Sequence, residues 1–429
     1  MTEAFLFHAW QSRLFNNHQL FTSEGEPLQI IHPGLLNTDA GPDFMNARIR
    51  IGETLWAGNV EIHIKASDWK KHQHHHDQSY SNVILHAVYE ADEVIRRPDG
   101  TDIPILVLKD KIDGQAWNNY QYLITNRQWI PCSSQIRDIA PIVTDMQVSR
   151  MVTERLERKT RQIMIDLKSN RNNWEETFYR HLARNFGFKI NAVPFELLAR
   201  LLPENLLARH KASPFQVETL LFGTAGLLDE EFSEDYPAKM KEEYRFLQQK
   251  YQLRPMQGHL WKFLRLRPAN FPTIRIAQFS SLVVKSQHLF SSLLETEALH
   301  DLEKLFAVDV SPYWTEHYTF GSLSSQHNKQ LGMGSIHNIF LNTLVPFLFS
   351  YGNQKGLAVF RERALNFLDT LPAERNSLID GWVRLGISCR TASHSQGLLE
   401  LKNNYCDAKK CLQCSIGNSI LRSEKKTVE

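Results

Sequence analysis

Four residues stand at spacings that suit metal-assisted chemistry: Asp43, Glu61 eighteen positions later, then His63 and Lys65. Glu61, His63 and Lys65 alternate with Val60, Ile62 and Ile64, so in an extended strand they share one face. A chain that reverses at Gly52-Glu-Thr brings Asp43 back beside Glu61. Two adjacent carboxylates repel, and a hard divalent cation, Mg2+ or Mn2+, offsets that repulsion by taking carboxylate oxygens while keeping water. The ion would acidify a bound water and neutralise charge building on a phosphate. Lys65, or a protonated His63, would orient that water or face the oxyanion. The expected catalytic set is therefore Asp43, Glu61, His63 and Lys65, with Asp43 and Glu61 as metal ligands. The same alternation also describes the wet face of a half-exposed strand, with Asp43 capping a turn.

Three other groups carry candidate chemistry. His72, His74, His75 and His76 precede Asp77. On a helix, His72 and His75 or His76 would share a face and could hold zinc, giving a zinc hydrolase as a rival reading; a solvated edge is the plainer one. Cys406, Cys411 and Cys414 form C-x4-C-x2-C, a thiolate pattern that suits a structural metal, Zn2+ or a [4Fe-4S] cluster. The fourth ligand would be Cys132, Cys389 or His394. The stretch from Trp261 to Pro272 alternates basic and aromatic residues. Lys262, Arg265 and Arg267, with Arg275 beyond, are the candidate contacts to nucleic acid, whether DNA or RNA. In the basic run around Arg150, Arg155, Arg158, Lys159 and Arg161, the acidic Glu154, Glu157 and Asp166 interleave, as on a solvated helix face.

The elements that must position these residues follow from periodicity. Residues 3–16 read as a short helix with Phe5, Leu6, Ala9, Trp10 and Leu14 on one face. Strands are expected at 28–32, 43–51, 56–65, 82–89 and 103–108, with 67–80 helix-like. From about residue 144, Val148, Val152, Leu156, Ile163 and Leu167 fall at helical spacing, and helical patterns broken by prolines continue to about 385. Three segments result: a mixed α/β unit over 1–135, a helical domain over 144–385 and a cysteine-containing segment over 386–422. A charged tail, residues 423–429, is expected to fray.

Composition sets limits. A length of 429 residues suggests two or three domains. With 49 basic against 47 acidic residues, no global field attracts nucleic acid, so local patches must hold it. The N-terminus lacks the basic-then-apolar order of a signal peptide. The apolar stretch 336–351 is too short and polar to span a bilayer, and reads as a buried helix. A cytoplasmic, non-membrane protein is expected, in which five cysteines would be reduced.

Pro42-Asp43, a hairpin and Glu61-Ile62-His63 resemble the signature of the PD-(D/E)XK nuclease superfamily, with His63 where that pattern has lysine and Lys65 offered as a substitute. The resemblance implies a restriction-endonuclease-like mixed sheet over the N-terminal third and metal-dependent cleavage of nucleic acid. Glu3 on the first helix corresponds to an extra glutamate of some members. The His63 departure leaves open a nuclease-like fold that binds nucleic acid, or serves as a scaffold, without cleaving. Some members also clasp the domain with an iron–sulfur cluster, which draws attention to Cys132. Leu36-Asn37, Gly41-Pro-Asp-Phe44, Gly58-Asn-Val-Glu-Ile-His63, Ser67-Asp-Trp69, Val83-Ile-Leu-His86 and Arg267-Pro-Ala-Asn-Phe-Pro272, with the cysteine tail, resemble a bacterial family of unknown function of Bacteroidetes type. That second resemblance implies no activity.

Overall fold

The computed structural model of the protein describes residues 1–97, 99–286 and 288–423. Of the tail expected to fray, residues 424–429 lie outside them. The chain forms two compact units. The first comprises Met1–Val148, Leu385–Ile387 and the chain from Glu400; the second comprises Ser149–Arg384 and Ser388–Leu399.

The first unit is built on a mixed seven-stranded sheet. Its strands are β1 (Leu20–Phe21), β2 (Pro27–His32), β3 (Leu35–Leu36), β4 (Phe44–Ile51), β5 (Thr54–Lys65), β6 (Val83–Glu90) and β7 (Ile105–Val107). The order is β1-β2-β4-β5-β6-β7, with β3 also paired to β4. Pairing is antiparallel as far as β5, while β5–β6 and β6–β7 are parallel. Helix α1 (Glu3–Ser12) buries Phe5, Leu6, Ala9 and Trp10, the stripe its spacing predicts. Leu6 and Trp10 join Phe44, Ile49, Val60 and Ile62 in one core cluster. Trp69, Tyr80, Val83, Val88 and Ile105 belong to a second cluster.

A parallel pair cannot be joined by a tight hairpin, because the chain must return to the starting end of the sheet. Residues 66–82 make that crossover between β5 and β6. They do not form the single helix expected over 67–80. A one-turn helix, α2 (Asp68–Lys71), is followed by two 3-10 turns at His74–His76 and Gln78–Tyr80. Gln73, in the left-handed region at φ 62°, separates α2 from the first turn. The fully buried indole of Trp69 pins the crossover to the sheet.

The crossover covers the face of β5 that alternation marks as potentially wet. Val60, Glu61, Ile62 and His63 are all buried, with Glu61 3% and His63 2% exposed. The solvated-strand alternative for this face therefore does not hold.

The second unit is helical except for a small hairpin of His317–Thr319 and Ser322–Leu323. The 29-residue helix α3 (Pro141–Ser169), whose residues up to Val148 belong to the first unit, buries Val148, Val152, Leu156, Ile163 and Leu167, as their spacing predicts. The apolar stretch 336–351 is a buried helix interrupted by a π-helical turn at Phe340–Leu344. Among the described residues, no helix is long and apolar enough to cross a membrane.

The basic and aromatic stretch divides. Trp261 is buried, and its Nε1 donates to the Ala225 carbonyl at 2.8 Å. Lys262, Arg265 and Arg267 are exposed. Arg275 is instead 6% exposed, because it lies in the helix Pro272–Lys285 on a side that faces the core. Its guanidinium donates to Asn270, Gln278 and Ser335 and lies over the Phe188 ring at 4.6 Å.

Candidate metal centre

The loop before β4 is organised around one side chain. The Asn37 amide nitrogen donates to the carbonyls of Ala40 at 3.3 Å and Pro42 at 3.0 Å, and the Asn37 N–H donates to the Asp43 carbonyl at 2.7 Å. Gly41, at φ +107°, supplies a conformation that other residues rarely adopt. Asp43 is thereby held against β5. Its Oδ2 accepts the Ile62 N–H at 2.9 Å, while its own N–H donates to Glu61 Oε2 at 3.1 Å. This reciprocal pair brings the two carboxylates expected to act together into one site.

The crossover adds imidazoles. His74 Nε2 lies 3.1 Å from Glu61 Oε1, and His63 Nε2 lies 3.5 Å from the same oxygen. His63 Nε2 is 3.0 Å from His72 Nδ1. The ligand atoms of His63, His72 and His74 all lie within 4.8 Å of one another. Donors around a tetrahedral ion at about 2.0–2.1 Å stand roughly 3.3 Å apart, and the separations of 3.0, 3.1 and 3.5 Å bracket that value. His63, His72 and His74 thus form a three-imidazole set that could hold one ion, with Glu61 beside His63 and His74. Imidazole-rich sets suit zinc, iron or manganese better than Mg2+.

Outer contacts set the orientation of this group. His63 Nδ1 lies 2.9 Å from His86 Nε2, and β5–β6 register pairs Glu61 with His86. An imidazole that binds a metal through one nitrogen is commonly oriented through the other. Tyr80 stacks on His74 with ring centroids 3.9 Å apart, and Trp69 lies edge-on to His74 at 5.4 Å. His72 is exposed, which gives the cluster an open side.

Electrostatics point the same way. Burial and then the Glu61 charge push the Asp43 carboxyl well above the usual carboxylate range, with Glu3 adding to the rise. Burial, His72 and His74 push His63 down to about 3. His63 is therefore held neutral, the metal-binding form, next to an Asp43 carboxyl whose charge is disfavoured until a cation arrives.

Asp43, Glu61 and His63 are brought together, with Glu3 near enough for its charge to act on Asp43. Lys65 is exposed at the end of β5, where its N–H donates to Asp68 and its charge acts on Asp92. The His75 and His76 rings lie tilted against each other, with centroids 3.9 Å apart, and join no three-ligand group among the described residues. The pairing of His72 with His74 was hidden because it depends on Gln73 breaking the helix. An i,i+2 pair beside a β-strand histidine has no helical signature.

With this geometry in place, the wider relationships can be stated. Residues 3–377 match the family described as "Protein of unknown function (DUF2851)", and the chain belongs to that family. No curated protein and no solved structure matches the chain.

Proposed function

We propose that the first unit is a metal-dependent phosphodiesterase of the PD-(D/E)XK nuclease type, acting on nucleic acid. The observation that carries this reading is the reciprocal hydrogen bonding of Asp43 and Glu61 beside the imidazoles of His63, His72 and His74. The order helix, antiparallel strands β1 to β5, crossover and parallel strands supports it, with Asp43 just before β4 and Glu61 on β5. Three exposed cations of the second unit, Lys262, Arg265 and Arg267, are available to phosphates.

Glu61, His63, His72 and His74 would hold the ion, and the nitrogen-rich set favours Zn2+ or Mn2+ over the Mg2+ suggested by paired carboxylates. When bound, the ion would supply Lewis acidity toward a phosphoryl oxygen and a more acidic water. Asp43 accepts the proton of the attacking water, a task suited to a carboxyl with raised proton affinity. His86 keeps the His63 ring turned toward the site. His63 stands at the place of the motif lysine but would serve as a ligand, so charge on the phosphate would have to be met by the bound ion, and the departing oxygen would take its proton from water.

The test is cleavage of labelled single- and double-stranded DNA and RNA with Zn2+, Mn2+ or Mg2+. Glu61→Gln and His72→Ala should each lower turnover by roughly a hundredfold or more, equivalent to about 3 kcal/mol of transition-state stabilisation. Their circular dichroism should be unchanged. Binding without cleavage by the wild-type chain would instead favour a nuclease-like binding module, to which the His63 substitution already points. Neither binding nor cleavage would remove nucleic acid as the substrate.

A further inference from the structure

Four cysteines distant in sequence meet at one small cavity of the first unit. Cys132 comes from the turn after residue 130, Cys406 closes the π-helical turn Lys402–Cys406, Cys411 begins a 3-10 turn, and Cys414 precedes the helix Ser415–Leu421. Lys410 and Gly417 line the same cavity. Of the ligands the sequence leaves open, Cys132 is the one that arrives. Cys389 and His394 belong to the second unit and do not line this cavity.

The packing is specific to this gathering. A Cβ on Gly417 would lie 2.1 Å from the Cys411 carbonyl oxygen, so the last helix closes over the cysteine turn only with glycine there. Lys409 ties the turn to the Ile124 carbonyl, and Lys402 pairs with Asp407. Four thiols that line one cavity beside Lys410, with Lys402 and Lys409 fastening the same turn, form a site suited to a metal held by thiolates.

Spacing distinguishes the candidates. Four thiolates on a tetrahedral zinc at about 2.3 Å stand roughly 3.8 Å apart. Among the described residues, no three cysteine sulfurs come within 4.8 Å of one another. An iron–sulfide core spreads its thiolates further, because several atoms rather than one ion stand between them. We propose that Cys132, Cys406, Cys411 and Cys414 bind a [4Fe-4S] cluster that fastens the C-terminal segment to the first unit. The site is independent of the Asp43 and Glu61 reading.

The experiment uses the full chain, purified anaerobically and also reconstituted with ferrous iron and sulfide. Iron and acid-labile sulfide should be present in equal amounts, about four of each per chain, with a visible charge-transfer band that bleaches on reduction by dithionite. Cys132→Ser and Cys406→Ser should each lose most of the iron, whereas Cys389→Ser and Glu61→Gln should keep it. If a cysteine variant is insoluble, the wild-type iron and sulfide content and the spectrum of the reduced protein decide. Zinc without sulfide that is lost from Cys132→Ser but kept by Glu61→Gln would overturn the proposal. So would absence of iron after reconstitution, or equal loss of iron from Cys389→Ser and Cys132→Ser.

Discussion

At the scale of single residues, Asp43 and His63 titrate in opposite directions, and this gives the metal-free protein a particular pH response. Asp43 has its proton affinity raised, so the folded chain keeps a proton that the unfolded chain has lost above about pH 4. Its stabilising contribution is full below that pH and fades as the pH rises toward and past neutrality. His63 is lowered to about 3, so the folded chain resists a proton that an unfolded histidine accepts. Its contribution is full above about pH 6.5 and is lost as the pH falls toward the folded value. A divalent ion held beside Asp43 would favour its ionised form and so release its proton. The rise in Tm on adding Zn2+ or Mn2+ to chelator-treated protein should therefore be larger at about pH 8 than at about pH 6, by up to roughly 1.4 kcal/mol per pH unit before unfolded-state binding is considered. Melting curves across that range, with Asp43→Asn as the control that flattens the trend, check this. A metal-induced shift independent of pH would mean that Asp43 does not exchange its proton for the ion.

At the scale of elements, the site depends on the close crossing of β5 and β6. Gly58 lies where β5 begins its parallel pairing, and the Asn59 N–H donates to the Asn82 carbonyl at 2.8 Å. A Cβ on Gly58 would come within 2.4 Å of Ile84 Cγ2 and 2.6 Å of the Asn82 carbonyl oxygen. The carbonyl is backbone already committed to the ladder, so the strands must part. Gly58→Ala should cost about 1–3 kcal/mol, in the range of core overpacking. It should also weaken metal binding, because the displaced strand carries His86. Urea unfolding and metal titration of the same variant measure the two effects, and an unchanged midpoint would show that the crossing yields easily. Part of this design is legible beforehand. Gly58-Asn-Val-Glu-Ile-His63 shows a strand with special residues at its start, and the alternation places Glu61 and His63 on one face. The burial of that face is not legible, since it comes from the crossover laid over it.

At the scale of the molecule, the first unit is discontinuous. Its sheet is made within the first 148 residues, yet its fold takes in Leu385–Ile387 and the chain from Glu400. Asn119, on the helix Gly114–Thr125, donates to the carbonyl of Ile420 at 2.9 Å and to that of Ser423 at 3.3 Å. The Ser415 N–H donates to Gln147 at 2.8 Å. Asn119→Ala should lower stability by about 1–3 kcal/mol, because the two hydrogen bonds that fasten the end of the last helix to Gly114–Thr125 are lost. Protease cleavage near the C-terminus should speed up in that variant. Equal stability and equal cleavage rates would show that the segment is held by apolar contact and the cysteines alone.

The sequence by itself determined the local features. Period-two and helical patterns marked the long strands, α1 and the buried stripe of α3, because alternation and 3.6-residue spacing are set by neighbouring residues. Asp43, Glu61 and His63 could be named as partners because a single reversal between adjacent strands brings them together. Only the tertiary structure decided that His74 lies against Glu61 and His72 against His63, that Lys65 is exposed and Arg275 buried, and that Cys132 lines one cavity with Cys406, Cys411 and Cys414. Each of these depends on contacts that spacing does not encode. They are set by the left-handed residue that turns the crossover, the core packed around the helix carrying Arg275, and the return of a segment some 270 residues downstream of Cys132.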